Sequence, residues 1–216
     1  MTLFLTVLAL ITAVLTIRAQ YVEHAQKQEY LFKPLTTILI VGVALLGTGE
    51  TTATYKTLII VGMLFCLGGD IFLMLPERFF IAGLVSFLVG HLFYLVAFSG
   101  DTAMALSIWL LPLTIYGAIV YGMLYKHLGK MRWPVLAYMV AIMLMACKAL
   151  TRYSTLETTG AALAAAGAIF FVLSDSVLAF NKFKRPFTHA RWIVLSTYWF
   201  AQWLIALSVG AYLLVF

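Results

Sequence analysis

Residues 57–75 read TLIIVGMLFCLGGDIFLML, an unbroken apolar run in which Asp70 is the only charged side chain. A helix needs about 20 consecutive apolar residues to cross the hydrocarbon core of a bilayer. The run is therefore predicted to be a transmembrane helix. Its single carboxyl group marks the place where a polar function is expected.

The rest of the 216-residue chain has the same character, with 64% hydrophobic and 10% charged residues. Soluble domains carry about 25% charged residues, and a chain of this size cannot bury so much apolar surface in one core. The net charge of +6 is attributed to loops that contact lipid head groups, and no nucleic-acid partner is expected. Residues 1–216 are predicted to form one transmembrane domain.

Eight apolar runs predict an all-α integral membrane protein with eight transmembrane helices. They span residues 2–17, 35–46, 57–75, 79–99, 103–125, 135–150, 159–180 and 192–216. The first run has no basic segment before it, so we predict a retained helix instead of a signal peptide. Pro112, inside the fifth run, predicts a packing kink in that helix.

The basic residues of the loops support eight crossings. With eight helices, eleven Lys and Arg residues lie on one side and three on the other; omitting the short second run changes the split to six against eight. Cytoplasmic loops are enriched in Lys and Arg. Both termini are therefore expected outside the cytoplasm, and the expected location is a bacterial inner (cytoplasmic) membrane.

Two aspartates occupy equivalent places in the predicted third and seventh helices. Asp70 and Asp175 each lie five residues before the end of their run, about 7.5 Å inside the cytoplasmic end at 1.5 Å per residue. Both helices cross in the same direction, so the carboxyl groups are expected at one depth. The chain is also expected to contain two four-helix halves related by an axis along the membrane normal.

An ionisable side chain inside a spanning helix costs about 2.5 to 3.5 kcal/mol, so it requires a function or a partner. A hydrogen bond to a neighbouring helix would explain one aspartate. Two at one depth, with no Lys or Arg expected to be buried beside them, favour a site. Apolar surroundings and a like charge disfavour ionisation, so one carboxyl is expected to keep its proton. Such a pair suits acid/base hydrolysis.

Three further pairs of polar residues share helix faces and are candidates to line the same cavity. They are Lys33 with Thr36, His91 with Tyr94, and Tyr198 with Gln202. Ordinary explanations stay open: a lysine reaching the interface, an interior histidine, or a tyrosine of the aromatic belt. Ser174 and Ser176 flank Asp175 without a histidine to activate them. Only one histidine lies within a run, so neither a metal nor another cofactor is expected.

Several of these positions occur together in recognisable segments. The segments are KPLTT at 33–37, GGDIFLMLP at 68–76 with Phe80, Gly83, Gly90, His91 and Tyr94, and SDS at 174–176 with Asn181, Phe183, Tyr198 and Gln202. From about residue 31 to the C-terminus, the chain resembles the YhhN family of lysoplasmalogenases. The match is specific because many polar positions agree in order and spacing.

The resemblance implies hydrolysis of the vinyl ether bond of lysoplasmalogens to a fatty aldehyde and glycerophosphoethanolamine or glycerophosphocholine, without a metal. Family aspartates match Asp70 and Asp175, which implies catalytic roles for both. We expect one, kept protonated by burial, to act as the general acid, and the other to stabilise the oxocarbenium ion and activate water. Lys33 is expected to meet the phosphate of the lysophospholipid. The other supporting positions are Thr36, His91, Tyr94, Ser174, Asn181, Tyr198 and Gln202. The expected partners are this lysophospholipid and membrane lipids.

Two other functions use buried aspartates. A lipid or solute transporter would bind protons or cations with them. An intramembrane aspartyl protease would carry GxGD, but Leu67 replaces the first glycine here. A structural scaffold would need no matched carboxyl groups. The head-group preference, the assignment of acid and base, and the oligomeric state stay open.

Overall fold

Eight α-helices make up most of the computed structural model, which describes residues 1–19, 26–49, 51–100 and 107–210 and has no strand within them. The helices are α1 Thr2–Ala19, α2 Gln26–Leu46, α3 Ala53–Met74, α4 Phe80–Ser99, α5 Leu110–Tyr125, α6 Arg132–Leu156, α7 Thr159–Ala179 and α8 Ala190–Leu207. A π-helical turn at Phe180–Lys184 continues α7. The predicted all-α class is confirmed for these ranges.

Within the described ranges, six helical segments are long and apolar enough to cross a membrane. They correspond to α1, α2, α3, α4, α6 and α7. The apolar helix α5 is shorter, at 16 residues, and α8 has 18 residues that include Arg191 and Gln202. The chain is an integral membrane protein with several spanning helices, and the count of eight stays a prediction.

The second helix is much longer than its apolar run. It begins at Gln26 instead of Leu35 and has 21 residues. Its polar first turns are stabilised by partners on other helices, because Glu29 pairs with Arg191 of α8 and Lys33 with Asp70 of α3. The apolar run therefore predicted only the part of α2 that lacks such partners.

The predicted kink at Pro112 is wrong, because α5 begins at Leu110 and places this proline in its first turn. A proline there removes no intrahelical hydrogen bond, since the first N–H groups of a helix have no acceptor within it. The start of the fifth predicted run, residues 103–106, lies outside the described residues, and so does the end of the eighth, residues 211–216.

Six helices form a closed ring in the order α2, α3, α4, α6, α7, α8, with α8 packed back against α2. Helix α1 packs outside this ring on α2 and α8, and α5 packs outside it on α6. The ring contacts of α2, α3 and α4 thus correspond to those of α6, α7 and α8, whereas α1 packs on two ring helices and α5 on one. This order sets α3 and α7 in opposing positions, with their C-terminal ends at the same end of the bundle.

Helices α3 and α4 approach each other closely at two glycines. A Cβ added to Gly62 would lie 3.1 Å from the carbonyl oxygen of Gly90, and one added to Gly90 would lie 2.9 Å from that of Gly62. Small residues at helix interfaces permit this approach in membrane proteins. The interior beside them is filled by Met63, Phe98 and Phe171, each 0% exposed.

Candidate active site

Asp70 and Asp175 line one cavity of about 130 Å³ in the interior of the bundle. Each aspartate lies four residues before the end of its helix, since α3 ends at Met74 and α7 at Ala179. The short helical turns that follow, Glu77–Phe79 and Phe180–Lys184, carry Arg78 and Lys182, and we call this end of the bundle the basic end. The two carboxyl groups therefore face a shared space near the basic end of the bundle.

The carboxyl group of Asp70 is held by three side chains from two neighbouring helices. Thr37 of α2 donates a hydrogen bond to Oδ2 at 2.7 Å, and Tyr198 of α8 donates to the same oxygen at 2.8 Å. The ammonium group of Lys33, also on α2, lies 3.4 Å from Oδ1. Asp70 is 1% exposed, so its position is fixed from all sides.

The expectation that no basic side chain is buried beside the aspartates is wrong. Lys33 is 7% exposed and contacts both the carboxyl group and the backbone carbonyl oxygen of Asp70. The reason is the early start of α2, which places Lys33 inside the helix and turned towards α3. A buried pair of opposite charges replaces the isolated acid that the sequence predicted at this position.

Asp175 has a different environment. Tyr138 of α6 donates a hydrogen bond to its Oδ2, and Nε2 of His91 lies 4.0 Å from the same oxygen, beyond hydrogen-bond distance. Its side chain is 15% exposed. It also lines a second cavity of about 50 Å³, whose other walls include Leu84, Val120 and Met143. Asp175 thus lies where a polar cavity and an apolar cavity meet.

A chain of hydrogen bonds extends from Asp70 across the interior. Tyr94 of α4 donates to Oε1 of Gln202 at 2.7 Å, and Nε2 of Gln202 donates to the hydroxyl oxygen of Tyr198 at 3.4 Å. Tyr198 in turn contacts Asp70. The predicted Tyr198 and Gln202 pair does share one face of its helix. Together with Tyr94, it links Asp70 to α4 by hydrogen bonds.

His91 is fully buried, with its ring 4.6 Å from that of Phe171 and 5.3 Å from that of Tyr138 between ring centroids. Within the described residues neither ring nitrogen has a hydrogen-bond partner. His91 therefore packs as an aromatic ring beside Asp175.

Two polar residues of the seventh helix region also line the shared cavity. Ser174 donates to the carbonyl oxygen of Val194 at 3.0 Å, which joins α7 to α8. Asn181 accepts a hydrogen bond from the backbone N–H of Phe187 at 3.2 Å and shapes the turn between these helices. Both side chains contribute polar surface to the cavity wall.

Thr36 lies apart from the aspartates. Its hydroxyl oxygen lies 2.9 Å from that of Thr12 of α1 and 2.8 Å from the carbonyl oxygen of Phe32, and its one hydrogen is donated to one of them. The neighbouring residue Thr37 contacts Asp70 instead, because successive helix positions differ by about 100° in direction. The spacing from Lys33 predicted Thr36 as a cavity residue, but the adjacent Thr37 is the one that contacts Asp70.

Sequence reasoning also missed Tyr138, which lies inside an apolar run with no polar neighbour to mark it. Its importance comes only from the packing of α6 against α7, which brings its hydroxyl to Asp175.

The outer part of the shared cavity holds a second ion pair. Nη2 of Arg191, at the start of α8, donates to Oε1 of Glu29 on α2 at 2.6 Å. Glu29 is 16% exposed and Arg191 64% exposed, and both line the cavity of the aspartates. The cavity therefore has an acidic and a basic group at its mouth.

The fold and the cavity define a helical integral membrane protein with paired carboxyl groups near one end of its interior. The chain belongs to the YhhN family, whose family model matches residues 28–209. This confirms the resemblance found in the sequence.

Curated relatives agree with this assignment. The chain is 38% identical over 157 residues to "Lysoplasmalogenase TMEM86A" of Homo sapiens, which covers 70% of this chain and 65% of the relative. It is 41% identical over 152 residues to "Lysoplasmalogenase TMEM86B" of Sus scrofa, and the match covers 69% of this chain and 62% of the relative. "Uncharacterized membrane protein YhhN" of Escherichia coli O157:H7 is 26% identical over 184 residues, and the match covers 84% of this chain and 87% of the relative. The chain thus matches about 65% of the length of the lysoplasmalogenases. No solved structure matches it.

Proposed function

We propose that this chain is a lysoplasmalogenase that hydrolyses the vinyl ether bond of lysoplasmalogens. The observation that carries the proposal is the shared cavity of Asp70 and Asp175, two carboxyl groups from different helices in one buried space. The names of the human and pig relatives support the choice of reaction. The products are a fatty aldehyde and glycerophosphoethanolamine or glycerophosphocholine.

The two cavities suit the two parts of such a substrate. The apolar cavity, lined by Leu84, Val120 and Met143 among others, takes the start of the alkenyl chain. The polar cavity, with Lys33 and Arg191, takes the glycerol and the phosphate. Since Asp175 belongs to both, the bond between chain and glycerol lies beside it.

The acid and base roles follow from the partners of each aspartate. Asp70 has a cation and two hydroxyl donors on it, which suits a carboxylate. Asp175 has no cation within hydrogen-bond distance among the described residues and borders apolar side chains, which suits a carboxylic acid. We therefore assign the general acid to Asp175 and the general base to Asp70.

The reaction begins when Asp175 transfers its proton to the outer alkene carbon, which leaves an oxocarbenium ion beside two carboxylates. Water attacks the carbon next to the ether oxygen, and Asp70 accepts the proton that the water loses. The resulting hemiacetal then breaks. Asp70 returns a proton to the ether oxygen while Asp175 removes the hydroxyl proton, so the aldehyde forms and both aspartates regain their starting states.

The decisive variant is Asp175→Asn, because it removes the acid without leaving a buried cation unpaired. We expect the release of aldehyde to fall at least about 1,000-fold, in line with the loss of an acid and base group, with an unchanged thermal unfolding temperature. The assay is mass spectrometry of products from purified protein in detergent, given lysophospholipids with and without a vinyl ether.

Glu157→Gln is the matched control, since Glu157 is an exposed acid at the C-terminal cap of α6. A wild-type protein that releases no aldehyde refutes the proposed function. An Asp175→Asn protein with full activity refutes the role of the pair. A pure transporter would form no product in detergent.

The proposed arrangement in the membrane is eight spans with both termini outside the cytoplasm, in a bacterial inner membrane. Arg78, Lys130 and Lys182 lie in turns at the basic end, which supports a cytoplasmic position for that end. The site then opens towards the inner leaflet.

A further inference from the structure

The ion pair at the mouth of the shared cavity is not explained by the chemistry of the two aspartates. Arg191 and Glu29 contact each other at 2.6 Å and join α8 to α2. Both lie farther from the interior than Lys33, which is 7% exposed and bound to Asp70. They are therefore the first charged groups of this cavity that a ligand meets at the basic end.

A phosphate that enters the cavity meets Arg191 before Lys33. The guanidinium group has five N–H donors in a planar fork, and the contact with Glu29 is made through Nη2. Its other donors suit the oxygens of a phosphate. Lys33 is less free to do this, because its ammonium group already contacts the carboxyl and the carbonyl oxygen of Asp70.

The carboxylate of Glu29 adds a second requirement. It lies beside the place of the phosphate, so it attracts an ammonium group on the same ligand and repels a ligand with only negative charge. We infer that the Glu29 and Arg191 pair selects lysolipids whose head group carries both a phosphate and an ammonium group. This inference rests on the proposed function and names the residues that select its head group.

A purely structural clamp between α2 and α8 is the competing explanation. The described residues contain a second ion pair of the same length, between Lys182 and Glu77 at 2.6 Å. Glu77 is 83% exposed and does not line the shared cavity. Glu77→Gln therefore breaks a similar contact at the same end of the bundle without changing the cavity.

The test compares three lysoplasmalogens with one alkenyl chain and three head groups: phosphoethanolamine, phosphocholine and a bare phosphate. For the wild-type protein we expect kcat/KM to be about tenfold higher with the two zwitterionic head groups, the size of one charge-assisted contact. Glu29→Gln is expected to remove most of this preference. Glu29→Asp, which keeps the charge, and Glu77→Gln are expected to retain it.

A preference that is unchanged in Glu29→Gln overturns the inference. A general loss of activity with all three head groups, together with a lower unfolding temperature, also overturns it and supports the clamp.

A binding measurement separates this inference from the proposed function. Saturated alkyl ether analogues with the same three head groups lack the vinyl bond and cannot be hydrolysed by this route. Their affinities for the wild-type protein and for Glu29→Gln test the selection of head group without turnover. If the wild-type protein hydrolyses no lysoplasmalogen but shows the expected affinities, the proposed reaction fails and the inference stands.

Discussion

Two aspartates at equivalent helix positions have unlike surroundings. Asp70 is held by Lys33, Thr37 and Tyr198, whereas Asp175 accepts a hydrogen bond from Tyr138 and borders an apolar cavity. Acid and base catalysis by two carboxyl groups needs such a difference, because it favours the protonated form of one group and the ionised form of the other. The asymmetry arises from the neighbouring helices, not from the helices that carry the aspartates.

The buried contact between Lys33 and Asp70 predicts a strong coupling in stability. Lys33→Met should lower the free energy of unfolding by about 3 kcal/mol, because it leaves a buried carboxyl group without its cation. The double variant Lys33→Met with Asp70→Asn should regain most of that loss. Thermal unfolding in one detergent measures both, with the exposed Lys130→Met as the control. If the single and the double variant lose the same free energy of unfolding, the coupling between Lys33 and Asp70 is contradicted.

The same contact also determines how Asp70→Asn should be interpreted. With Lys33 beside it, the substitution leaves a buried ammonium group without its counter-charge, so a loss of activity in this variant combines chemistry with stability.

At the residue scale, sequence reasoning found the groups that are unusual in an apolar run. Asp70, Asp175 and Gln202 stand out because a bilayer penalises them, whereas Lys33 was placed just before an apolar run and was found through its pairing with Thr36. Thr37 and Tyr138 do not stand out, since threonine and tyrosine are tolerated in spanning helices. Their contacts depend on which face each helix turns inward.

The contact between α3 and α4 positions both Asp70 and His91. Close approach at Gly62 and Gly90 leaves no space for a side chain on either glycine. Gly69, next to Asp70, packs against the ring of Phe87, which lies 2.5 Å from an added Cβ. The direction of Asp70 therefore depends on glycines that carry no chemistry themselves.

Gly90→Ala tests this dependence. Its Cβ would lie 2.8 Å from Sγ of Cys66 and 2.9 Å from the carbonyl oxygen of Gly62, and such overpacking costs about 1 to 3 kcal/mol. We expect a lower unfolding temperature and lower activity. Gly122→Ala on α5, where an added Cβ meets nothing within 4 Å, is the control and should be neutral or slightly stabilising. Equal stability in both variants would show that the close approach is not required.

At the element scale, apolar runs located the helices but not their polar ends. The α7 start at Thr159 agrees with the predicted run, because the spanning part and the helix coincide there. The start of α2 does not, because its first turns are stabilised by Arg191 and Asp70, which are distant in sequence. A boundary set by long-range contacts is invisible to local hydropathy.

For the whole molecule, composition predicted an α-helical membrane protein, but not the order of helices around the interior. The ring from α2 to α8, with α1 and α5 outside, depends on which faces pack together. Such choices depend on many small contacts between helices.

The proposed orientation predicts opposite accessibility for the two ends of α6. Lys130→Cys, just before α6, and Glu157→Cys, just after it, both replace exposed residues. In intact cells a membrane-impermeant maleimide should label Glu157→Cys, and Lys130→Cys only after lysis. The natural Cys66 and Cys147 are buried and should add little background. The reverse result would show the opposite orientation in the membrane. Labelling of both cysteine variants from outside would contradict a spanning α6.

If the chain catalyses the proposed hydrolysis, the position of Asp175 between two unlike cavities has a consequence for the fate of the products. A long-chain aldehyde released there remains among hydrocarbon side chains and can diffuse sideways into the lipid phase. The glycerophosphodiester remains among charged groups and departs into the aqueous phase. Partition into separate solvents keeps the two fragments apart and drives the hydrolysis forward.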